Sequence, residues 1–411
     1  MTKTARPGRA DAMTRPLCVL MLSGEYPPME GGVGDFTHLL GAALVERGVE
    51  VHVLTSLRAR SGAPLQHPAI RCHPLLPSWG WFPLYTILRR LLREVQPDVL
   101  NIQYQTAAYG MHPAVNLLPY VFGALPCVVT FHDLLVPYLF PKAGPLRWGA
   151  NVALAHACRG VIVTNAQDRA RLQEHHRLRR LEVIPIGSNI ADKLPTLYDR
   201  NRWRERLGIP ADRLMLCYFG FLNASKGGEE LIAALDTLSA WDYNVGLLMI
   251  GGAVGASDPS NRAYLERVQS SIRQRGLEER VIWTGYMPPE EVSASFRSAD
   301  ICVLPYRDGA SFRRGSFMAA LAHGMPIVST QPEVALPELV DGRNILLVPP
   351  RDARVLAETI VRLAADDTLR HRLALGAREL AQEFDWRRIA ARTLEVYHAV
   401  AARRGANNSP R

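Results

Sequence analysis

The chain has 411 residues, which is enough for two or three domains that each bury a hydrophobic core. Apolar residues make up 48% of it and charged residues 21%, so intrinsic disorder is excluded over most of its length. The 48 lysine and arginine residues outnumber the 39 aspartate and glutamate residues, which gives a net charge of +9. This charge favours an anionic substrate or an acidic membrane surface. Nucleic acid is not indicated, because the sequence contains no nucleic-acid-binding motif.

Short apolar segments alternate with longer segments of helical periodicity along the chain. In the first half we predict strands at 17–23, 50–55, 98–103, 126–131, 160–164 and 181–186. A helix is predicted over 35–48. In the second half we predict strands at 214–220, 245–250, 281–284, 300–305, 326–330 and 345–348. Because repeated strand–helix–strand units form parallel sheets, the sequence predicts an α/β protein with two doubly wound, Rossmann-like domains facing a cleft.

The domain boundaries follow from where this alternation pauses. A polar, proline-containing stretch at 191–213 predicts a linker between an N-terminal domain over 16–190 and a C-terminal domain over 214–385. The ends of the chain, 1–15 and 404–411, are basic or polar, and we predict that they are flexible.

The six cysteines form no C-x-x-C pair, and several lie inside apolar runs, where cysteine acts as a small core residue. The apolar run after the N terminus stops at Ser23, too early for a signal peptide, and no stretch reaches the ~18 apolar residues of a membrane span. We therefore predict a cytoplasmic protein without disulfides or a zinc site.

A glycine-rich turn follows the first predicted strand and includes Gly32 and Gly34. Glycines there let backbone N–H groups approach a ligand at a helix N terminus, a position that favours phosphate. The spacing is not that of a dinucleotide site, and an ordinary strand–helix turn is the alternative interpretation.

His132 stands at the carboxyl end of the strand predicted at 126–131. At such a position a histidine can bond a hydroxyl group or accept a proton. The alternative is a histidine with a purely structural role.

Lys226 follows a turn that begins at Gly220 and precedes a predicted helix. An ammonium group at a helix N terminus suits a phosphate group. Only four lysines occur in the chain, so the choice of lysine at this turn favours a specific role over a solvated side chain.

A second basic turn contains Ser311, Arg313, Arg314, Gly315 and Ser316. We predict that Ser316 is the N-cap of the next helix. We also predict that the two arginines bind a diphosphate, and the alternative is that they lie in a solvated basic loop. No D-x-D sequence, which could hold a metal ion, occurs in the chain. If a diphosphate leaves in the reaction, we expect lysine, arginine and helix dipoles to neutralise its charge without a metal.

The segment from residue 79 to 93 has the composition of a helix at a membrane surface. Its aromatic and basic residues are Trp79, Trp81, Phe82, Arg89, Arg90 and Arg93. We predict peripheral contact with the inner face of an acidic membrane, and an ordinary helix packed on the first sheet is the alternative.

Taken together, these motifs resemble those of the retaining family 4 glycosyltransferases, which have the GT-B fold, from about residue 16 to 403. The motifs that carry the resemblance include Tyr26-Pro-Pro, Gly31-Gly32-Val-Gly34, Thr130-Phe-His132-Asp133, Gly220 with Lys226-Gly227, and His323-Gly324-Met-Pro326. The tail from Trp386 to Tyr397 is similar to the family's last helix, so the resemblance implies that a helix over 386–403 packs back on the N-terminal domain.

The resemblance implies transfer of a sugar, with retention of configuration, from a nucleotide-diphosphate donor to a hydroxyl acceptor such as a glycan or lipid-linked glycan. It implies that Gly32 and Gly34 approach the donor, that His132 contacts the transferred sugar, and that Lys226 binds the diphosphate. The usual setting of such enzymes is polysaccharide biosynthesis. For this family the acceptor is chosen by loops of the N-terminal domain, here 57–97, 104–120 and 134–150.

Two departures from the family pattern bear on donor recognition. Phe221 stands where the family has an arginine, and the paired glutamates of the family correspond to Ser311 and Ala319. We expect Arg313 and Arg314 to supply the missing positive charge. Two other interpretations share the fold: a non-catalytic glycan- or partner-binding protein, and a nucleotide-sugar epimerase.

Overall fold

The computed structural model describes residues 15–29, 31–60, 67–134, 144–174, 178–252 and 259–406. The chain divides into two compact units: the first comprises Met1–Ile186 and Trp386–Arg411, and the second comprises Gly187–Asp385. The predicted flexible N terminus lies outside the described residues except for residue 15, and the tail is described to residue 406, where it continues a helix.

The first unit contains a seven-stranded parallel sheet in its described residues. Its strands are β1 (Cys18–Ser23), β2 (Glu50–Ser56), β3 (Ile70–Leu76), β4 (Val99–Tyr104), β5 (Cys127–Phe131), β6 (Gly160–Val163) and β7 (Leu181–Val183), in the order β3-β2-β1-β4-β5-β6-β7. Its helices are α1 (Gly32–Val45), α2 (Trp81–Val95), α3 (Leu118–Val121), α4 (Gly144–Ala157), α5 (Ala166–Gln173) and α13 (Trp386–Ala406). The central strands are buried on both faces, as expected for a sheet covered by helices on each side.

The C-terminal helix α13 belongs to this first unit. The Trp386 ring lies 5.3 Å from the ring of Phe36 in α1, centroid to centroid, and an Arg392 guanidinium nitrogen donates to the Val183 carbonyl at 2.5 Å. Apolar residues of α13 share a core with β1, β2 and α1. The helix therefore covers one face of the first sheet.

In the part of the second unit that the structure describes, the strands form a six-stranded parallel sheet. Its strands are β8 (Leu214–Phe219), β9 (Val245–Ile250), β10 (Val281–Trp283), β11 (Ile301–Leu304), β12 (Ile327–Thr330) and β13 (Leu346–Val348), in the order β10-β9-β8-β11-β12-β13. Its helices are α6 (Arg200–Arg206), α7 (Gly228–Ala240), α8 (Pro259–Gln274), α9 (Pro289–Ser298), α10 (Gly315–Ala322), α11 (Ala353–Ala365) and α12 (Asp367–Ala381).

Strand β3 and helix α6 were not predicted. Strand β3 lies at the edge of its sheet, and its sequence mixes Arg71, His73 and Pro74 among apolar residues, which hides the strand pattern. Helix α6 lies inside the predicted linker 191–213, where Arg204 is buried and donates to the Ser298 carbonyl at 3.1 Å. This stretch is packed as part of the second unit.

The order of strands reverses between β1 and β4 in the first sheet and between β8 and β11 in the second. In open parallel sheets, ligands bind outside the carboxyl ends of the strands at such a reversal. The loops after β1, β4 and β5 in one unit, and after β8 and β11 in the other, are therefore where functional residues are expected. Among the described helices, none is long and apolar enough to cross a membrane.

Candidate functional site

The turn after β8 places Lys226 at the start of α7. The Asn223 side chain accepts a hydrogen bond from the Ser225 N–H at 3.1 Å and begins a short 3-10 turn that ends on Gly227. Gly227 has φ of 72°, and a Cβ added there would lie 1.8 Å from the Pro305 carbonyl oxygen. Only glycine fits this backbone, and its lack of a side chain lets the turn pack directly against the residue that follows β11.

The Lys226 ammonium group is largely enclosed by the loop after β11. It donates to Ser316 Oγ at 3.2 Å, and its Nζ lies 5.2 Å from the centroid of the Tyr306 ring. Burial, together with the nearby Arg314, lowers the pKa of Lys226 to about 8, although Asp308 opposes the shift. The side chain is a cation in a poorly solvated position, and a bound anion would stabilise its charge.

Arg314 approaches the same tyrosine ring. Its guanidinium carbon lies 4.3 Å from the Tyr306 ring centroid, and it forms an ion pair with Asp308. The Tyr306 hydroxyl lies 2.7 Å from Ser316 Oγ, and burial raises the pKa of Tyr306, which keeps the hydroxyl protonated. We call Lys226, Tyr306, Asp308, Arg314 and Ser316 the cation cluster.

The remaining predicted donor-binding residues of this unit lie around the cluster. A Cβ added at Gly220 would lie 3.5 Å from the Cβ of Ser316. The Ser311 carbonyl accepts from the Arg314 N–H at 3.1 Å, and Ser311 Oγ accepts from the Arg313 N–H at 3.3 Å. Ser311 and Arg313 thus shape the turn that precedes α10.

The prediction that Ser316 is an N-cap is wrong. Helix α10 begins at Gly315, and its N-cap is Arg314, whose side chain makes no capping bond. The Ser316 hydroxyl instead meets Lys226 and Tyr306, which are distant in sequence. Sequence reasoning did not select Tyr306 or Asp308 as site residues, because their contacts with Lys226 and Arg314 depend on the fold.

Arg307 fixes the loop after β11 to the start of α7. Its Nη2 lies 2.6 Å from Glu229 Oε2, and its Nε lies 2.7 Å from Glu230 Oε1. Its backbone N–H donates to the Ser225 carbonyl at 2.9 Å. These contacts hold the two loops of the cation cluster in a fixed relation.

In the first unit, His132 directly follows β5 and is buried. Its Nε2 lies 2.9 Å from Gln103 Oε1, and its ring packs edge to face on Phe36, with centroids 4.6 Å apart. Burial lowers the pKa of His132 to about 3, so the ring is neutral over the physiological range. Sequence reasoning missed Gln103, although a glutamine inside an apolar strand was a usable signal.

The two glycines predicted to approach the donor have different surroundings. A Cβ added at Gly34 would lie 3.1 Å from the Tyr26 backbone nitrogen, so Gly34 lets α1 pack closely on the loop after β1. A Cβ added at Gly32 would meet no atom within 4 Å. Gly32 therefore offers open backbone at the first turn of α1.

The amphipathic segment 79–93 includes α2. Its buried side chains pack on the first sheet, whereas the side chain of Phe82 is 80% exposed and Arg89, Arg90 and Arg93 are exposed. Trp81 is also exposed, but Trp79 is half-buried, with its ring 4.7 Å from that of Tyr109. Trp79 therefore takes part in the packing of the first unit, and the exposed residues of the predicted membrane surface are Trp81, Phe82 and the three arginines.

One group in the described part of the chain has the chemistry of metal ligands. The ligand atoms of Cys18, Glu50 and His52 lie within 4.8 Å of one another, at the amino ends of β1 and β2. Glu50 Oε1 is already 2.6 Å from Arg71 Nη1, and His52 Nδ1 is 2.9 Å from His73 Nε2. The group lies at the edge of the sheet opposite to the one where parallel sheets bind ligands.

The positions that depart from the family pattern are structurally distinct. Ala319 is fully buried in the core of the second unit, and its carbonyl lies 2.7 Å from His323 Nδ1. Phe221 is half exposed, and its ring lies against Gly252. Position 221 therefore adds no cation to Lys226 and Arg314.

Comparisons with known proteins identify the family. Residues 30–192 match the family described as Glycosyltransferase Family 4, and residues 213–366 match the family described as Glycosyl transferases group 1. The D-inositol 3-phosphate glycosyltransferase of Xylanimonas cellulosilytica is 30% identical over 430 residues, which cover 96% of this chain and 99% of the relative.

Solved structures show the same fold. Anabaena HepE, in complex with UDP and glucose, is 22% identical with a TM-score of 0.71, over 93% of this chain and 100% of that chain. A glycosyltransferase of Rickettsia africae is 15% identical with a TM-score of 0.73, over 96% of this chain and 100% of that chain. The chain therefore belongs to the family 4 glycosyltransferases, the retaining, nucleotide-sugar-dependent transferases of the GT-B fold.

Proposed function

We propose that the cation cluster of the second unit binds the diphosphate of the donor, that His132 contacts the transferred sugar, and that the reaction needs no metal. The observation that carries this proposal is the approach of two cations, Lys226 and Arg314, to one buried ring, that of Tyr306. Two positive side chains are held close together with one exposed carboxylate, Asp308, as counter-charge. The three side chains together keep a net positive charge, which attracts an anionic diphosphate.

The chemistry requires stabilisation of the leaving diphosphate. As the bond between the sugar and the diphosphate breaks, negative charge grows on the diphosphate oxygens, and fixed cations there lower the barrier. The planar guanidinium of Arg314 can donate two parallel hydrogen bonds to phosphate oxygens, whereas the ammonium of Lys226 acts as a point charge. With retention, the acceptor attacks from the side that the diphosphate leaves, so the diphosphate itself can help to take the acceptor proton.

The acceptor is a hydroxyl compound, and we propose a glycan or a lipid-linked glycan. The relative from Xylanimonas cellulosilytica is named for D-inositol 3-phosphate, so this compound belongs among the acceptors tested. The exposed aromatic and basic side chains of α2 support a lipid-linked acceptor, because they would hold the first unit against an acidic membrane surface.

The donor is tested by binding and by turnover. We expect one nucleoside diphosphate among UDP, GDP, ADP, TDP and CDP to raise the melting temperature of the full chain in the presence of EDTA. UDP is tested first because HepE was solved with it. At 100 times its dissociation constant a ligand adds about 2.7 kcal/mol of stability, which is easily visible. If none of the five stabilises the protein unless Mg²⁺ is added, the metal-independent proposal fails.

Turnover distinguishes transfer from epimerisation. We expect the corresponding nucleotide sugar to be consumed faster when an acceptor such as D-inositol 3-phosphate or a lipid-linked glycan is present, with the new linkage retaining the donor's configuration. Conversion of the donor to an isomeric nucleotide sugar, without any acceptor, would contradict the proposal.

Membrane contact through α2 has its own test. We expect the full chain to bind vesicles containing phosphatidylserine more tightly than vesicles of phosphatidylcholine alone, and to be released by salt. The combined Phe82→Asp and Arg90→Glu variant should lose this binding. The control is Arg387→Glu, the same arginine-to-glutamate change as at position 90, made on the exposed part of α13. Equal binding to both vesicle types would overturn the membrane proposal.

A further inference from the structure

We infer that Gln103 is a positioning residue that holds His132 as the tautomer protonated on Nε2, so that Nδ1 is the ring atom that accepts a hydrogen bond from a hydroxyl of the bound sugar. This inference rests on the proposed contact between His132 and the transferred sugar. It adds a residue of β4 that acts through the histidine without reaching the substrate.

Four polar side chains form a chain of hydrogen bonds within the first sheet. His132 Nε2 lies 2.9 Å from Gln103 Oε1, the Gln103 amide nitrogen donates to Asn101 Oδ1, and the Asn101 amide nitrogen donates to Thr130 Oγ1 at 3.2 Å. All four residues are buried, between β4 and the end of β5. A buried chain of this kind is costly unless its members satisfy one another.

The direction of the chain assigns the proton on the histidine. The Gln103 amide nitrogen faces the Asn101 carbonyl oxygen, so the group that Gln103 presents to His132 is its own carbonyl oxygen. A carbonyl oxygen can only accept, and therefore His132 Nε2 must be the donor. In a neutral imidazole the other nitrogen then carries a lone pair and accepts.

The remaining contacts of His132 hold the ring in place and keep it neutral. Its backbone N–H donates to the Tyr104 carbonyl at 3.0 Å, and Phe36 of α1 packs against the ring. The backbone of Gln103 is held in turn, because its main-chain carbonyl accepts from the Tyr109 hydroxyl at 2.8 Å. Because burial lowers the pKa of His132 to about 3, the ring is neutral and serves as an acceptor, not as a proton donor of the reaction.

The tautomer is measurable without any activity. In the full-length protein labelled with ¹³C,¹⁵N-histidine, the ring nitrogens of His132 are assigned by the signals missing in His132→Asn. We expect the wild-type ring to be neutral with its proton on Nε2. Gln103→Glu keeps an acceptor beside Nε2 and should preserve this tautomer, whereas Gln103→Met removes the acceptor and should give a mixture of tautomers.

A second variant tests the chain itself. Asn101→Leu leaves Gln103 intact but removes the partner of its amide nitrogen, so the amide can rotate and the tautomer should again become mixed. Asn116→Leu is the control: this buried amide bonds Tyr104 and takes no part in the chain. A change in Asn116→Leu as large as in Asn101→Leu would reduce the effect to general packing and overturn the inference.

Kinetics complete the test. We expect Gln103→Met to lower kcat/KM about tenfold, the usual effect of one lost hydrogen bond, and Gln103→Glu to recover most of it. A wild-type ring protonated on Nδ1, or a Gln103→Met ring unchanged from wild type, would overturn the inference. If the tautomers behave as expected but the variants turn over at the wild-type rate, then the proposed contact of His132 with the sugar fails instead.

Discussion

Lys226 and Arg314 share one tyrosine ring, so the loss of either removes about half of the positive charge offered to the donor. We expect Lys226→Ala and Arg314→Ala each to lower kcat by about 10²–10³, as for other groups that stabilise developing negative charge. Steady-state rates at saturating donor measure this. The control is Arg267→Ala, an exposed arginine that contacts Tyr264 and Glu229 outside the cluster. Wild-type rates in both cluster variants would refute the proposed diphosphate site.

The pH dependence of donor binding should follow the charge of Lys226. Because the pKa of Lys226 in the folded protein without donor is about 8, the ammonium group loses its proton as the pH rises above that value. An anionic donor binds the protonated form, so the dissociation constant should increase by about tenfold per pH unit above about 8. Titration with the nucleotide sugar measures this.

Arginine at the same position provides the control for that dependence. In Lys226→Arg the side chain remains charged throughout the range, so the slope above pH 8 should disappear even if the affinity is lower. An equal slope in Lys226→Arg and in wild type would show that another group titrates.

Single residues could be predicted where the sequence immediately around them indicates their role. Lys226 and His132 each stand at a turn or a strand end that the sequence marks, and both were predicted as candidates. The contact between Lys226 and Ser316 joins positions 90 residues apart, and no local pattern could predict it. The N-cap prediction failed for the same reason, because Ser316 has a better partner in the fold than the backbone of its own helix.

The turn from β8 into α7 depends on one glycine. In Gly227→Ala the new Cβ would meet the Pro305 carbonyl oxygen at a φ of 72°, so the turn must shift and Lys226 must move away from Ser316. We expect donor affinity to fall at least tenfold, with a lower melting temperature. Calorimetry of donor binding and a thermal melt measure the two effects.

Another glycine of the second unit serves as the control for that turn. Gly276 also has a positive φ, of 65°, but an added Cβ there meets no atom within 4 Å. Gly276→Ala should therefore cost some stability and leave donor affinity unchanged. If both variants weakened the donor equally, the effect would come from general destabilisation and not from the position of Lys226.

Strands and helices were predictable where their sequences follow a single hydrophobic pattern. The strands buried on both faces, such as β1, β4 and β9, are nearly continuous apolar runs, and the predicted strands at 17–23, 98–103 and 245–250 match them closely. The edge strand β3 was missed because an edge position tolerates charge and proline. Helix α6 was missed because it is short and polar, and tertiary contacts of Arg204 and Trp203 fix it.

The chain builds two units with separate sheets and separate cores, and the sequence predicted both from the repeated alternation of strands and helices. We propose that the second unit binds the donor diphosphate and that the first unit contacts the sugar. This division follows from the two reversals of strand order, because each creates an opening at the carboxyl edge of its own sheet. Only one of these openings carries the cation cluster.

Hydrogen exchange should therefore show where a nucleoside diphosphate without a sugar binds. Because the cation cluster lies wholly within Gly187–Asp385, we expect UDP, or whichever diphosphate raises the melting temperature, to slow exchange in the peptides around 220–230 and 306–322. At 100 times the dissociation constant, amides that exchange through opening of the bound region should slow by up to about 100-fold. Peptides at the amino ends of β1 and β2 should be unaffected and serve as the internal control. Protection confined to the first unit would place the diphosphate near His132 and would overturn the assignment of Lys226 and Arg314.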